Sequence, residues 1–358
     1  MSRRSVGVLL FSSTSMVVAS PGDLVFTEAL TGTINRLDRG QPSFDLLYQF
    51  EVEGARPIDM IQVGDSFYVG DGPRIETNPG SGRLWRFDDL LGKAPVATVI
   101  SQSDPLQVPL GLAFDKRTDT ILAVNNPVQH TLPNSFDGIL AVPRSGGQAI
   151  KVFEEERPLP RPYYRAGSRL AVDPLDTNDF FVTTLNGGIE TGDQVDDFDF
   201  GSVLYRLTVD ESFLTGEMEI LVDLSDMATT GLDVPLTFTR GIAVVDDGTI
   251  YVTDGGNGDD VSGGLYRITL DEDRNFEGIE RVIGGLGRVH ELTYNPYQDT
   301  FVFAAEPVND LGGIWEVNAD GTGLTHLTDS TVNARGIVVI PSPGAGLLLL
   351  ACASRRRR

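Results

Sequence analysis

The sequence predicts an all-β fold, a six-bladed β-propeller whose blades are four-stranded antiparallel sheets. Three observations predict it. An apolar strand motif recurs six times along the 358 residues, further strand motifs follow it in a constant order, and the incomplete units at the two ends complement each other. Long-period self-similarity of this kind is typical of propellers and solenoids.

The first motif is a short pair of residues, mostly small or polar, followed by four or five apolar, β-prone residues. Because the apolar run is almost continuous, it suits a strand that is covered on both faces. The chain is also long enough to bury a sizeable core. The apolar anchors of the six copies are Ile58, Leu112, Leu170, Ile242, Leu292 and Ile337.

Two further strand motifs follow the first in five of the units, and a more variable fourth strand ends each unit. Turn residues such as Asp246-Asp247-Gly248 separate them, as expected between the strands of one sheet. The second motif covers 66–69, 120–124, 179–183, 249–253 and 300–303, and the third covers 82–87, 138–142, 201–207, 264–268 and 313–317.

The two terminal units are incomplete in complementary ways. The N-terminal unit opens at Asp23–Thr27 and lacks a first strand, whereas the C-terminal unit is only a first strand, Gly336–Ile340. Pairing the C-terminal strand with the N-terminal strands completes one sheet and removes two exposed edges. The alternative, an open solenoid, would leave both partial units unpaired. The sequence therefore predicts a closed ring over residues 23–341.

Composition excludes several classes of function. A formal charge of −23 makes nucleic acid a poor partner, because phosphate is repelled by such a surface. The single cysteine, Cys352, excludes disulfide bonds within the chain and zinc sites built from cysteines. A Gly-x-Ser-x-Gly elbow and a Gly-rich phosphate loop are both absent from the sequence.

The first 19 residues are typical of a secretory signal peptide. Arg3 and Arg4 precede the apolar stretch 6–11, and Val17-Val18-Ala19 resembles a cleavage site. We expect the protein to be exported. The paired arginines leave both the general secretory route and the twin-arginine route open.

The last residues, 342–358, resemble the PEP-CTERM sorting signals that exosortases process. A Pro-x-Pro turn at Pro341 leads into an apolar segment, 345–353, and the chain ends in Arg355–Arg358; Ser342 stands where such signals usually have Glu. The resemblance implies export machinery and an exosortase-type sorting enzyme as partners. It also implies a cell-surface or extracellular location without a stable transmembrane anchor after processing. A plain basic tail is the alternative.

From about Asp23 to Pro341, the strand pattern resembles the NHL-type and gluconolactonase-type (SMP-30-like) six-bladed propellers. This resemblance implies an architecture, and propellers host unrelated functions. In such a ring, the first strands begin and the second strands end on one face, around a central channel. A functional site is therefore expected among the residues that precede the six anchors.

Aligning the units on their anchors places a cluster of charged residues at the channel mouth. Guanidinium groups bind planar oxyanions through two parallel hydrogen bonds, so the cluster predicts an anionic small-molecule or polysaccharide ligand. The alternative is internal pairing with acids near the second-strand ends: Glu28, Asp71, Asp254 and Glu306. The candidate ligand-binding residues are Arg56, Arg169, Arg240, His290, Glu291 and Arg335.

The resemblance to gluconolactonase-type propellers also implies a divalent ion held in the channel by Glu, Asn and Asp side chains. Candidate oxygen ligands here are Asp59, Asn125, Asp254 and Glu291. That family typically has Asp-Gly where this chain has Arg240-Gly241 and Arg335-Gly336. Positive charge at those positions opposes the binding of a cation.

Two loops between second and third strands concentrate acidic residues and glycine, which is the composition that Ca²⁺ requires. We therefore treat Ca²⁺ as a candidate cofactor, and solvated acidic surface as the alternative. The candidate ligands are Asp193, Asp196, Asp197 and Asp199 in the first loop, and Asp254, Asn257, Asp259 and Asp260 in the second.

Two functions follow from these observations. The expectation placed first is an exported, surface-associated binding or matrix-associated module that is not an enzyme and binds an anionic ligand at the channel mouth. The alternative is a divalent-metal-dependent hydrolase of lactonase or esterase type, with its site in the central channel.

Overall fold

The computed structural model describes residues 22–41, 43–72, 81–125, 138–154, 167–176, 178–184, 201–210, 215–256, 263–306 and 312–341. These residues form six four-stranded antiparallel sheets, and a single turn of helix, α1 (Met227–Thr230), follows the fourth. The predicted fold class is confirmed: the sheets are the six blades of a propeller.

The blades are numbered along the chain, and the strands of each are given from the channel outward. Blade 1 contains β24 (Ala334–Val339), β1 (Leu24–Glu28), β2 (Thr33–Leu37) and β3 (Phe44–Gln49). Blade 2 contains β4 (Pro57–Val63), β5 (Ser66–Asp71), β6 (Arg83–Asp88) and β7 (Val96–Ser101). Blade 3 contains β8 (Pro109–Asp115), β9 (Thr120–Asn125), β10 (Gly138–Pro143) and β11 (Ile150–Glu154).

The remaining blades follow the same order. Blade 4 contains β12 (Gly167–Val172), β13 (Asp179–Thr184), β14 (Val203–Val209) and β15 (Gly216–Asp223). Blade 5 contains β16 (Thr239–Val244), β17 (Ile250–Asp254), β18 (Gly264–Leu270) and β19 (Phe276–Gly284). Blade 6 contains β20 (Val289–Asn295), β21 (Thr300–Ala305), β22 (Gly313–Asn318) and the two-residue β23 (Thr325–His326).

The ring closes as the incomplete end units predict. Strand β24 pairs antiparallel with β1, with Leu24 opposite Val339 and Phe26 opposite Ile337. The backbone N–H of Ile340 donates to the carbonyl of Asp23 at 2.8 Å, which extends the pairing beyond the strands. Each inner strand contacts the inner strand of the next blade, and β20 contacts β24. The inner edges of the blades therefore surround one axis.

The hydrophobic core lies between neighbouring blades. Six apolar clusters are present in the described part of the chain, and each joins two adjacent blades, including blades 6 and 1. Between blades 5 and 6, for example, the rings of Tyr251 and Phe301 lie 4.1 Å apart. Both faces of most strands are therefore buried, which explains why the strand motifs are almost continuously apolar.

Every inner strand carries a register shift close to its start, so that one residue bulges out of the ladder. The bulged residues are Ile58, Leu110, Ser168, Arg240, His290 and Arg335. This corrects the expected position of Arg56. Because β4 starts with Pro57 opposite Asp71, the residue of blade 2 that matches Arg240 and Arg335 is Ile58.

The residue after each bulge alternates in type around the ring. Blades 2, 4 and 6 supply the charged residues Asp59, Arg169 and Glu291, whereas blades 1, 3 and 5 supply glycine. A Cβ added to Gly336 would lie 2.5 Å from the nitrogen of Met60, and one added to Gly111 would lie 2.7 Å from the Cα of Arg169. The glycines therefore allow neighbouring inner strands to approach closely.

Several sequence-based expectations lie outside the described residues: the signal peptide 1–19, the sorting tail 342–358, and most of the two acidic loops. Among the residues that are described, no helix has the length and apolar character needed to cross a bilayer. The acidic-loop residues concerned are Asp193, Asp196, Asp197, Asp199, Asn257, Asp259 and Asp260.

Candidate active site at the channel mouth

Polar and charged side chains converge at the face where the first strands begin and the second strands end. Arg240, His290 and Arg335 are the bulged residues of blades 5, 6 and 1. Glu306 follows β21, and Arg288 immediately precedes β20. Because blades 5, 6 and 1 are neighbours, these side chains lie on one side of the channel mouth.

Glu306 is the shared acceptor of this cluster. Its carboxylate accepts hydrogen bonds from Arg240 Nη1 at 2.9 Å, Arg335 Nη2 at 3.3 Å and Arg288 Nη1 at 3.4 Å. Burial alone would raise the pKa of Glu306, but the positive charges of Arg240 and Arg335 hold it below its usual value. Glu306 is therefore ionised at neutral pH and orients the guanidinium groups.

Among the described residues, three guanidinium groups share the carboxylate of Glu306. Burial, together with the charges of Arg240 and Arg56, lowers the pKa of Arg335 to about 10, so Arg335 is still protonated at neutral pH. The guanidinium of Arg240 also lies over the ring of Phe238, 4.9 Å from its centroid. The cluster can therefore hold an anion in a protein that is strongly acidic overall.

His290 is buried, with 1% of its surface exposed, and neither ring nitrogen has a hydrogen-bond partner among the described residues. Burial lowers its pKa well below 6.5, and the nearby charges of Arg335, Arg240 and Arg169 lower it further. The imidazole is therefore neutral at pH 7. The Nε atoms of Arg240 and Arg335 also lack a partner within the described chain. Buried polar atoms of this kind are normally paired with protein, water or a ligand.

Deeper in the channel, the side chains of Asp59, Arg169 and Glu291 fill the axis. Arg169 donates to Glu291 Oε2 from Nη2 at 2.7 Å and from Nε at 3.1 Å. Asp59 accepts hydrogen bonds from the backbone N–H groups of Leu112 at 2.6 Å and Met60 at 2.8 Å. These three side chains and their hydrogen bonds therefore occupy the axis below the mouth.

The residues expected to bind a divalent ion in the channel do not fit one. Arg169 places its positive charge next to Glu291 and Asp59. Burial raises the pKa of Glu291 to about 8 despite Arg169, so its carboxyl is largely protonated at neutral pH. Within the described ranges, no three His, Cys, Asp or Glu side chains are grouped so that they could hold a metal.

The other two expected channel ligands act as backbone acceptors at second-strand ends. Asn125 Oδ1 accepts from the N–H groups of Gln107 at 2.7 Å and Val108 at 3.2 Å. Asp254 accepts from the N–H groups of Phe238 at 2.7 Å and Gly256 at 2.8 Å. Asn125 and Asp254 thus hold the segments that lead into β8 and β16.

The six predicted ligand-binding residues do not form one group: three lie at the channel mouth, two lie deeper in the channel, and Arg56 precedes β4. Arg240, His290 and Arg335 meet at the mouth, Arg169 and Glu291 pair below it, and the backbone N–H of Arg56 donates to Asp71 Oδ1 at 2.6 Å at the start of β4. The sequence analysis named Glu306 only as one of four acids that could pair with the arginines, and it did not name Arg288. Arg288 lies directly before the first-strand motif of blade 6, and this position could have indicated that it reaches the channel mouth.

Comparison with known proteins shows similarity of fold. No protein-family model matches the chain, and no curated protein matches it. A gluconolactonase from Xanthomonas campestris is 13% identical, with a TM-score of 0.52 over 82% of this chain and 81% of that chain. The periplasmic gluconolactonase PpgL of Pseudomonas aeruginosa is 13% identical, with a TM-score of 0.51 over 90% and 98% of the two chains. A protein of unknown function from Desulfotomaculum acetoxidans is 10% identical, with a TM-score of 0.51 over 89% and 99%.

At such identities the likeness establishes the propeller fold alone. It nevertheless corrects the order of the two expected functions. Two of these similar structures are gluconolactonases, which counts against the non-enzymatic binding or matrix module expected first. Arg169 pairs with Glu291, and Arg240 and Arg335 pair with Glu306, which is the kind of internal pairing with acidic residues that was the alternative for these arginines.

Proposed function

We propose that the protein is a hydrolase of the lactonase class and that it opens a cyclic ester at the channel mouth. The observation that carries the proposal is His290, a buried neutral imidazole whose two nitrogens are without a partner among the described residues, beside two guanidinium groups. A base next to fixed positive charge is what attack of water on an ester carbonyl requires.

The reaction can be assigned to the residues at the mouth. His290 accepts a proton from water as the water oxygen attacks the carbonyl carbon. Arg240 and Arg335 stabilise the negative charge that develops on the carbonyl oxygen, and Glu306 holds both guanidinium groups in place. The ring C–O bond then breaks, and the protonated His290 returns its proton to the leaving alkoxide.

The product of this reaction also fits the site. Hydrolysis of a lactone produces a carboxylate, a planar oxyanion that a guanidinium group binds through two parallel hydrogen bonds. The guanidinium groups of Arg240 and Arg335 would bind this product, and an anionic group elsewhere on the substrate would strengthen binding further. An acidic sugar lactone is therefore the favoured substrate class.

Assays of the purified full chain with glucono-δ-lactone, with an acidic sugar lactone and with linear esters test the proposal. We expect turnover of at least one lactone, and loss of most of that turnover in His290→Ala. His326→Ala is the matched control, because His326 is an exposed histidine on the outer strand of blade 6. No lactone turnover above the rate in buffer, with the protein folded, would contradict the proposal.

We also propose that this hydrolase acts outside the cytoplasm. The basic and apolar residues 1–19 and the arginine-rich tail 342–358 support export followed by exosortase-type sorting. Fractionation of cells that express the full chain, compared with a chain that lacks residues 2–19, tests this. Equal amounts of both proteins in the cytoplasm would contradict it.

A further inference from the structure

The charged residues that fill the channel come from every second blade. Asp59 belongs to blade 2, Arg169 to blade 4 and Glu291 to blade 6, and each follows the bulge of its inner strand. The same position is glycine in the three other blades. Of the six described inner strands, three therefore place a charged side chain at this level of the axis, where one guanidinium group bonds to Glu291 and its charge acts on Asp59.

Arg169 makes contacts around most of the ring. Besides its two hydrogen bonds to Glu291, its Nη2 donates to the carbonyls of Arg335 at 3.1 Å and Ile58 at 3.4 Å. Its Nη1 donates to the carbonyl of Leu110 and, at 3.2 Å, to that of Ser168. Blades 1, 2, 3, 4 and 6 thus all direct oxygen atoms toward one positive charge.

These oxygens form the kind of ligand set that a hard divalent cation uses. Ca²⁺ takes six to eight oxygen ligands from carboxylates and backbone carbonyls. A carboxyl oxygen of Glu291 and carbonyl oxygens of four blades accept hydrogen bonds from the guanidinium of Arg169, whose side chain is only 9% exposed. The carboxyl group of Asp59 lies near enough to interact with the same charge. A guanidinium group here supplies one positive charge and directed hydrogen bonds to these oxygens, and it cannot dissociate from the protein.

We infer that Arg169 is a built-in cation of the channel, occupying the place that a divalent ion would otherwise hold between Asp59 and Glu291. This residue bridges the blades and satisfies the carbonyls of the bulges, including that of Arg335 at the mouth. The protein therefore needs no divalent ion at its axis. Removal of the guanidinium converts the channel into a cation site.

Calcium titration of the full chain by calorimetry tests this inference with CaCl₂ as the probe. We expect Arg169→Ala to be less stable than the wild type and to bind Ca²⁺ at least about tenfold more tightly than the wild type. The added affinity is lost in Arg169→Ala combined with Glu291→Gln, because the carboxyl group that Ca²⁺ would deprotonate and bind is then missing. Any binding to the acidic loops is common to all variants and cancels in the comparison.

Arg274→Ala is the matched control, since it also uncovers a buried carboxylate, that of Asp173, at the opposite end of β12. It should gain no comparable Ca²⁺ affinity. A folded Arg169→Ala protein that binds Ca²⁺ no better than the wild type would overturn the inference.

A second measurement decides the question should Arg169→Ala fail to fold. The metal content of dialysed wild type is compared with that of Asp59→Asn. Equal metal content in the two proteins supports the built-in cation. One divalent ion per wild-type chain that is lost in Asp59→Asn overturns it.

Discussion

Arg169 and Glu291 lie 122 residues apart in the sequence, yet Arg169 Nη2 is 2.7 Å from Glu291 Oε2 across the channel axis. Asp59, from a third blade, adds a second carboxyl group to the same positive charge. Two carboxyl groups and one guanidinium group favour retention of one proton, which agrees with the raised pKa values of Glu291 and Asp59.

This arrangement predicts a pH dependence of stability. Burial raises the pKa of Glu291 from 4.5 to about 8 in the folded protein. The folded state therefore binds more protons than the unfolded state between these values, and the contribution of Glu291 to stability is lost as the pH rises from about 4.5 to about 8. Urea unfolding across this range should show a decline that is much smaller in Glu291→Gln. If the unfolding free energy declines equally with pH in both proteins, Glu291 does not take up a proton on folding in this range, which contradicts the prediction.

Catalysis by His290 predicts a pH profile of a different shape. Because burial and three nearby guanidinium groups hold the pKa of His290 well below 6.5, the imidazole remains a proton acceptor at neutral pH. The kcat/KM for lactone hydrolysis should therefore be level near pH 7 and fall only in the acidic range, as His290 becomes protonated. If kcat/KM instead changes with a midpoint near pH 7, and this change persists in His290→Gln, another group is responsible for the titration.

The guanidinium groups at the mouth should contribute mainly to the transition state. Arg335→Ala or Arg240→Ala should lower kcat/KM by about 10²–10³, the usual cost of removing one group that stabilises an oxyanion. Arg335→Lys should recover part of the loss. Arg267→Ala is the matched control, because Arg267 pairs with Glu280 on the outer surface, with 42% of its side chain exposed. Similar losses in all of these variants would point to a general effect on folding.

Close approach of the inner strands predicts that their glycines are intolerant of substitution. Alanine at Gly336 or Gly111 would place a Cβ within 2.7 Å of neighbouring backbone atoms, which must then move. We expect each variant to lose about 1–3 kcal/mol of unfolding free energy, as in other overpacked interiors. Gly278→Ala, in an outer strand with only a side-chain oxygen 3.6 Å away, should change stability little.

The acidic loops predict Ca²⁺ binding independent of the channel. Replacement of Asp193, Asp196 and Asp197 by asparagine, or of Asp259 and Asp260, should abolish any rise in melting temperature that millimolar CaCl₂ causes in the wild type. If Ca²⁺ leaves the melting temperature of the wild type unchanged, these loops are solvated acidic surface.

The sequence predicted the architecture because each blade repeats one pattern and the two end units complement each other. It also placed Arg240, His290 and Arg335 correctly relative to one another, since their blades share one register. Alignment of the motifs placed blade 2 out of register, because Pro57 and Ile58 extend its apolar run. The structural equivalence of Asp59 with Arg169 and Glu291 was therefore not recognised. The roles of Glu306 and Arg288 depend on distances between blades, which spacing along one chain does not encode.

Hydrolysis of lactones by the wild type and by His290→Ala at pH 7 tests the proposed site most directly. The initial rate should clearly exceed that in buffer for the wild type and for His326→Ala, and fall close to the buffer rate for His290→Ala. Wild-type turnover that His290→Ala leaves intact, or no turnover by a folded wild type, would contradict the assignment of hydrolysis to the channel mouth.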